Sequence, residues 1–458
     1  MKLTTKSFAT ILLICFSTPL SFSQENKDYL RLSMREAQTF AIENNRTVKS
    51  SRVDISLADK KIWENLATGL PQISVDANYL HQFVVPRISF GPYLDTGLLP
   101  DGVITKQDLL DAYKESPPIN LGVKDNTTID FTLSQLVFNG QYFVGLEASR
   151  VVKDASKKTL VKTEEQIKES VADAYYSILV IQESIKILQE SQKSLDQTYN
   201  ELVKMNQLGL NEDTDVDQMN ISRSNISAMI TSLESQKDIA VKLLKYQLGL
   251  GFEHSIILTD SLPGFINEVN GLYPVNPEFQ IQNSIDYQLI SIQENISQLL
   301  VKLEKAKYLP TVSAFYRHQE QTNQPSFNFA VKDVVGATLN FPILSSGVRS
   351  SRVSQAKYDL DKVRLSKLDA EQGLTMEFET AWSSYQTAYS NFLTNRESMD
   401  LSKKVYDRTM IKFREGVSSS FELAQNQNQF LSTTRDYYTS LLSLLNAKAK
   451  LDRILRTN

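Results

Sequence analysis

Few residues in this chain could carry catalysis. There are three histidines, His81, His254 and His318. His81 and His318 fall at near-equivalent places in two alternating segments, which raises the idea of a pair of metal ligands. No Asp/Glu/His cluster with ligand spacing accompanies them, and interfacial polar residues are the simpler account. Ser354-Gln355-Ala356-Lys357 spells the Ser-x-x-Lys of some hydrolases. It lies in a long helical pattern without the companion motifs, and is a chance match. There is no phosphate-binding glycine loop. No catalytic, cofactor-binding or metal-binding residue is assigned, and the chain reads as a non-enzyme. What remains is electrostatic: Asp213, Asp215, Asp217 and Glu422 crowd two turns. Acids there can complement the positive end of a following helix, or line a charged constriction.

Those two turns belong to two similar halves. Leu208-Gly209-Leu210-Asn211-Glu212-Asp213-Thr214-Asp215-Val216-Asp217-Gln218 is matched by Glu415-Gly416-Val417-Ser418-Ser419-Ser420-Phe421-Glu422-Leu423-Ala424-Gln425, at an offset of 207. The offset persists upstream. Ile167, Val171, Ala174, Ile178, Ile181 and Ile185 map onto Leu374, Phe378, Ala381, Tyr385, Ala388 and Phe392, and Tyr199 maps onto Tyr406. A fold-sized offset predicts two copies of one structural unit. Alternation by four and three is a heptad seam. No proline interrupts it from Tyr142 to Leu208, so at ~1.5 Å per residue it predicts a rod of roughly 100 Å. A second rod spans about Arg349 to Glu415. Each turns at its glycine and returns, over about Glu212 to Leu248 and Ser419 to Leu455. In this reading Asp213 caps the first returning helix.

The first 23 residues read as a secretion signal: Lys2 and Lys6, an apolar stretch from Phe8 to Phe16, then Ser21-Phe22-Ser23, with cleavage near Ser23. Cys15 lies inside that stretch, so the mature chain would have no cysteine and no disulfide. Losing Lys2 and Lys6 takes the formal charge from −4 down by two, to −6, which disfavours nucleic-acid binding. No apolar run of ~18 residues follows, so no transmembrane helix is expected, though a β-barrel stays possible.

Ahead of the first rod, Ser33-Met34-Arg35-Glu36 forms a capping box for a helix to about Asn44, and a second helix runs from about Arg46 to Ala67. Two alternating stretches follow. Ile73, Val75, Ala77 and Tyr79 oppose Ser74, Asp76 and Asn78, while Ile129, Phe131 and Leu133 oppose Asp130, Thr132 and Ser134. The second half repeats them as Val312, Ala314 and Tyr316, then Val335, Ala337, Leu339 and Phe341. Period-two alternation over ~10 residues suits a strand with lipid on one side and water on the other, or a strand on a protein core. The first strand leads the third by 239 residues, against 207 for the helices. The 32-residue excess lies within Phe83 to Asn126, a long loop rich in Gly, Pro and Asp.

In order and duplication these features resemble the TolC family of outer-membrane efflux channels. The signals are the paired turns, the strand starts Leu70-Pro71 and Leu309-Pro310, and the corners Phe138-Asn139-Gly140 and Leu344-Ser345-Ser346-Gly347. The fold class is then mainly α with a small β part. The resemblance implies a homotrimer, with four strands per chain in one twelve-stranded outer-membrane barrel and helical hairpins forming a periplasmic tunnel. The units would be residues 24–251, an equatorial linker at 252–276, and residues 277–458.

It further implies a passive exit duct of a tripartite efflux or type I secretion system. Its partners would be outer-membrane lipid, a periplasmic adaptor and an inner-membrane pump driven by protons or ATP. The entrance gate would comprise Thr214, Asp215, Gln218, Phe413, Ser418, Glu422 and Gln425. The family's acidic rings fall at Glu422 and Gln425, and only Glu422 keeps the charge. The family's tyrosine and arginine partners of Asp215 fall at Phe413 and Ser418, which lack a donor hydroxyl and a guanidinium fork. Arg414 or Lys412 would have to substitute. The adaptor would dock on the tips Leu208, Gly209, Leu210 and Glu415, Gly416, Val417. A secreted coiled-coil structural or adhesive protein is the alternative. An adaptor is disfavoured, because adaptors carry one hairpin.

Overall fold

The computed structural model describes residues 30–115, 118–269, 277–324, 328 and 330–455. The proposed leader, residues 1–23, and part of the linker, residues 270–276, lie outside them. The chain opens with β1 (Leu30–Leu32), α1 (Met34–Asn44), α2 (Arg46–Ala67) and β2 (Gln72–His81). A long connection holds β3 (Arg87–Ile88), β4 (Tyr93–Leu94), a 3-10 turn at Thr96–Leu98, α3 (Lys106–Ala112), β5 (Tyr113–Lys114) and β6 (Ile119–Asn120). Then come β7 (Asp125–Asn139), α4 (Gly140–Gln207), α5 (Asp213–Gln247), β8 (Ile256–Leu258) and α6 (Leu262–Val269). The second half holds α7 (Ile285–Ala306), β9 (Thr311–Gln321), β10 (Asp333–Asn340), α8 (Val348–Arg414) and α9 (Ser420–Leu455).

α4 packs along α5 and α8 along α9, with α4 also against α9, so two hairpins lie side by side. The heptad seam does this work. Val171, Ala174, Ile178, Phe378, Ala381, Tyr385 and Phe392 are all buried in one core cluster, with residues of α1 and α9. A second cluster, containing Leu195, Leu202, Ile226, Tyr406, Leu423 and Phe430, continues toward the tips. Each fully buried apolar side chain of this size contributes roughly 1.5–3 kcal/mol. Ser33 and Glu36 form the capping box at the start of α1. Asn139 caps α4, its Oδ1 accepting from the Gln141 and Tyr142 amides at 2.8 and 3.3 Å.

The linker does more than connect. β8 pairs in parallel with β1, Leu30 opposite Ile256 and Leu32 opposite Leu258. Tyr175 on α4 locks this joint. Its hydroxyl donates to the Leu32 carbonyl at 3.0 Å and to Asp260 at 3.1 Å, and Asp260 also accepts the Met34 amide at 2.7 Å.

The four long strands form one antiparallel sheet in the order β10-β9-β7-β2. Ile73, Leu133, Tyr316 and Val335 stand in one row across it, and Val75, Phe131 and His318 in another. Directly opposed residues share a face. That face is open, with Ile73 78% exposed and Val335 82%. It is apolar over the strand halves nearer the helices and turns polar at the far end, where His318 opposes Asp333 and Glu320 opposes Ile129. The other face carries Ser74, Thr132, Arg317 and Val334 in one row, and Asp76, Asp130 and Gln319 in another. β2 and β10 are the sheet's edges, each paired on one side among the described residues. No described helix is long and apolar enough to cross a membrane.

Candidate functional site

At both hairpin tips the backbone makes the same stop. Gly209 has φ 70° and Gly416 φ 74°, the left-handed region that favours glycine. The Gly209 amide donates to Asn206 at 2.8 Å and the Leu210 amide to Met205 at 2.9 Å. In the second tip Gly416 donates to Phe413 at 3.0 Å and Val417 to Lys412 at 2.8 Å. This double bond pattern satisfies the last carbonyls of the helix and throws the flanking residues outward. Leu208, Leu210 and Val417 are accordingly exposed. Glu415 beside them is exposed too, so the two tips share a shape and differ in charge.

The residues just inside the tips are held differently from the expectation. Glu212, not Asp213, occupies the capping position of α5, and it makes no side-chain cap bond. Asp213 instead accepts from Asn206 Nδ2 at 2.8 Å, tying the turn back to α4. Thr214 donates to Glu212 at 3.0 Å. In the other hairpin Ser418 donates to Glu422 at 2.6 Å, while the Glu422 amide donates to Ser419 Oγ at 3.2 Å. Glu422 thus sits in the first turn of α9 as a helix-start acid, with its carboxylate on the exposed side. Gln218 and Gln425 come together across the α5–α9 contact, lining one hollow with Phe421, Asn428 and Gln429. Phe413 packs against the lower core cluster.

Arg414 does not substitute for the missing Asp215 partner. Its guanidinium lies 3.7 Å from Glu201 and 3.3 Å from the Thr198 hydroxyl, both on α4. It is a tie between the two hairpins of one chain. Sequence reasoning missed it because it depends on the stagger of α8 against α4. A neighbouring contact follows the 207-residue offset: Arg223 stacks 4.3 Å over Tyr199 and pairs with Asp196 at 2.5 Å. The corresponding pair, Tyr406 and Phe430, stacks at 5.6 Å, and burial pushes the Tyr406 hydroxyl up to about 12.

The two strand histidines are not brought together as a metal pair. Each is clipped within its own strand pair. His81 Nδ1 lies 2.6 Å from Asp125, which also accepts from Tyr79 at 2.7 Å. His318 Nδ1 lies 2.7 Å from Asp333, which accepts from Tyr316 at 2.6 Å. The same Tyr-x-His against Asp closes the far end of each strand pair. Among the described residues no group of three or more His, Asp or Glu side chains is disposed to hold a metal.

Residues 281–455 match the family model described as outer membrane efflux protein. The match falls in the second half of the chain. It spans α7, β9, β10, α8 and α9, and so includes the second strand pair and the second tip. The likeness in fold to solved outer-membrane channels extends over nearly the whole chain. The structure of CusC, described in terms of transmembrane channel formation, superposes with a TM-score of 0.70, covering 94% of this chain and 93% of that one at 12% identity. The Campylobacter jejuni outer membrane channel CmeC gives 0.67, covering 92% and 85% at 13% identity. The open Neisseria gonorrhoeae outer membrane channel MtrE gives 0.67, covering 92% and 88% at 13% identity. The sequence matches no curated protein.

Proposed function

We propose that this chain is one third of an outer-membrane exit duct. The carrying observation is the four-stranded sheet with one exposed apolar face, one polar face and two open edges. Apolar residues such as Ile73, Val75, Val335 and Leu339 suit lipid contact, and open edges have no stable place in a bilayer. Four strands are too few to close, since about eight is the practical minimum. Three copies give a twelve-stranded barrel with the polar face toward water. The hairpins then extend into the periplasm as a tunnel roughly 100 Å long. The match of residues 281–455 to outer membrane efflux proteins supports the same assignment.

The duct works passively. A polar lumen conducts, while direction and energy come from an inner-membrane pump, proton-driven or ATP-driven, reached through a periplasmic adaptor. The exposed tips around Gly209 and Gly416 are the proposed adaptor contacts. The proposed entrance is formed by Gln218 and Gln425, which share a hollow, with Asp215 and Glu422 in the first turns of α5 and α9.

Extraction decides between this reading and a secreted coiled-coil protein. The mature chain should need detergent, run as a heat-modifiable trimer, and form ion-conducting pores in planar bilayers. A monodisperse monomer in detergent-free buffer would overturn it.

A further inference from the structure

The connection between β2 and β7 is not an open loop. It spans residues 82–124, while the β9–β10 connection spans 322–332, so it holds 43 residues against 11. It continues the β2–β7 ladder outward. After His81 opposite Asp125, Arg87 opposes Asn120, Ile88 opposes Ile119, Tyr93 opposes Lys114 and Leu94 opposes Tyr113. The paired numbers drift by one residue over the whole climb. Single bonds fill the gaps: Gln82 to Lys124 at 2.7 Å, Leu121 to Pro86 at 2.9 Å and Asp95 to Ala112 at 2.9 Å. The Lys114–Asp95 ion pair at 3.3 Å braces the top. This is a two-stranded arm, rooted at the edge of the sheet.

The arm is amphipathic. Each rung sets an apolar couple, Ile88 with Ile119 or Leu94 with Tyr113, beside a more polar one. Its tip is apolar and uncovered: Val103 is 94% exposed, and Leu98, Ile104, Leu109 and Leu110 are also exposed. The tip is nevertheless ordered, with Thr105 and Asp108 forming a capping box on α3. A built, apolar tip standing free in water is an unfavourable surface unless something covers it.

We propose that the covering partner is the same tip on the other two copies of this chain, so that three arms meet over the barrel mouth as a lid. This rests on the trimeric barrel proposed above. Placement supports it. Only the first strand pair carries an arm, so a trimer holds three, at every second hairpin. Reach supports it too. Fourteen residues of one side of the arm, 82–95, would span at most about 45 Å if fully extended, whereas twelve tilted strands spaced ~4.8 Å apart enclose a circle only about 24 Å across. An arm leaning inward therefore reaches the three-fold axis with length to spare.

The expected absence of cysteine from the mature chain makes the test direct. Val103→Cys at the tip and Lys124→Cys at the root are each oxidised in the detergent-extracted native protein, and the wild type, both variants and a deletion of residues 83–123 are sized and measured in planar bilayers. The proposal expects a disulfide-linked pair of chains from Val103→Cys, little or none from Lys124→Cys, and a several-fold rise in conductance on deleting the arm while the trimer persists. Val103→Asp combined with Leu110→Asp, which leaves the ladder intact, should reproduce the conductance rise. A persistent trimer without tip cross-links overturns the lid, and the arms then face lipid or a foreign protein. Cross-links with unchanged conductance overturn it also, since the tips would meet without closing anything. A wild type that is not a trimer overturns the parent reading first.

Discussion

Glu422 is where a single side chain could set what the duct admits. In one chain it is a helix-start acid held by Ser418 at 2.6 Å. In the proposed trimer it would form a ring of three carboxylates at the proposed entrance, where a low-dielectric wall focuses their potential. Divalent cations added on the tip side should block the channel. Glu422→Gln should weaken both block and cation preference, and Gln425→Asp should strengthen them by adding a second ring on the same helix face. Identical reversal potentials in asymmetric salt across all three proteins would leave Glu422 as a capping acid alone. A second residue-scale prediction concerns Asp173 on α4. Burial, and secondarily Glu169, raises its carboxyl from 3.8 to about 6. The folded state therefore holds a proton that the unfolded chain has lost, and stability falls as pH rises from about 4 through 6. Asp173→Asn should raise the thermal midpoint at pH 7.5, by an amount corresponding to about 1 kcal/mol after allowing for partial exposure, and change little at pH 4.5. Equal shifts at both pH values would contradict this.

At the scale of elements, glycines with nearly the same backbone angle separate two kinds of turn. Gly209 has nothing within contact range of an added Cβ, so Gly209→Ala should cost about 1–2 kcal/mol of left-handed strain. The effect should stay local, seen as faster amide exchange over residues 205–214 with a melting midpoint lowered only slightly. Gly249, at φ 74°, ends α5 where a Cβ would lie 2.4 Å from the Asn44 carbonyl. Gly249→Ala should lower the midpoint sharply, because neither backbone can move without parting α5 from the α1–α2 corner. A midpoint as high as that of Gly209→Ala would show that the corner yields. These elements were largely legible in the sequence. The seam from Ile167 to Ile185 and the alternation from Ile73 to Tyr79 are local periodicities, and a local rule suffices to read them. In sequence the arm looks like a loop, because its rungs are two residues long and interrupted by Pro86 and Pro92, too short for any period to register. β1 and β8 escaped for a different reason: three residues carry no pattern, and their partner lies over two hundred positions away. Asp213 falls one position inside the cap, as the first residue of α5, and its carboxylate takes the Asn206 side-chain amide instead.

At the scale of the molecule, the sheet joins the two halves through β7 and β9, with Thr128 opposite Gln321 and Asn139 opposite Thr311. No contact nearer in sequence can replace that seam. If the chain is threaded across the inner membrane from its N-terminus, the first strand pair arrives in the periplasm with β7 bare along one edge until about 180 further residues have followed. A bare, partly apolar edge invites pairing with the wrong strand. Biogenesis, rather than the finished structure, is then the fragile stage. Secretion stalled after Leu258 should leave a product that periplasmic chaperones retain and proteases remove, even though both helices of its hairpin are complete. Supplying residues 277–458 as a separate secreted chain should rescue the stalled product by giving β7 its partner. A stable, chaperone-free fragment would show instead that the first half guards its own edge until its other half arrives.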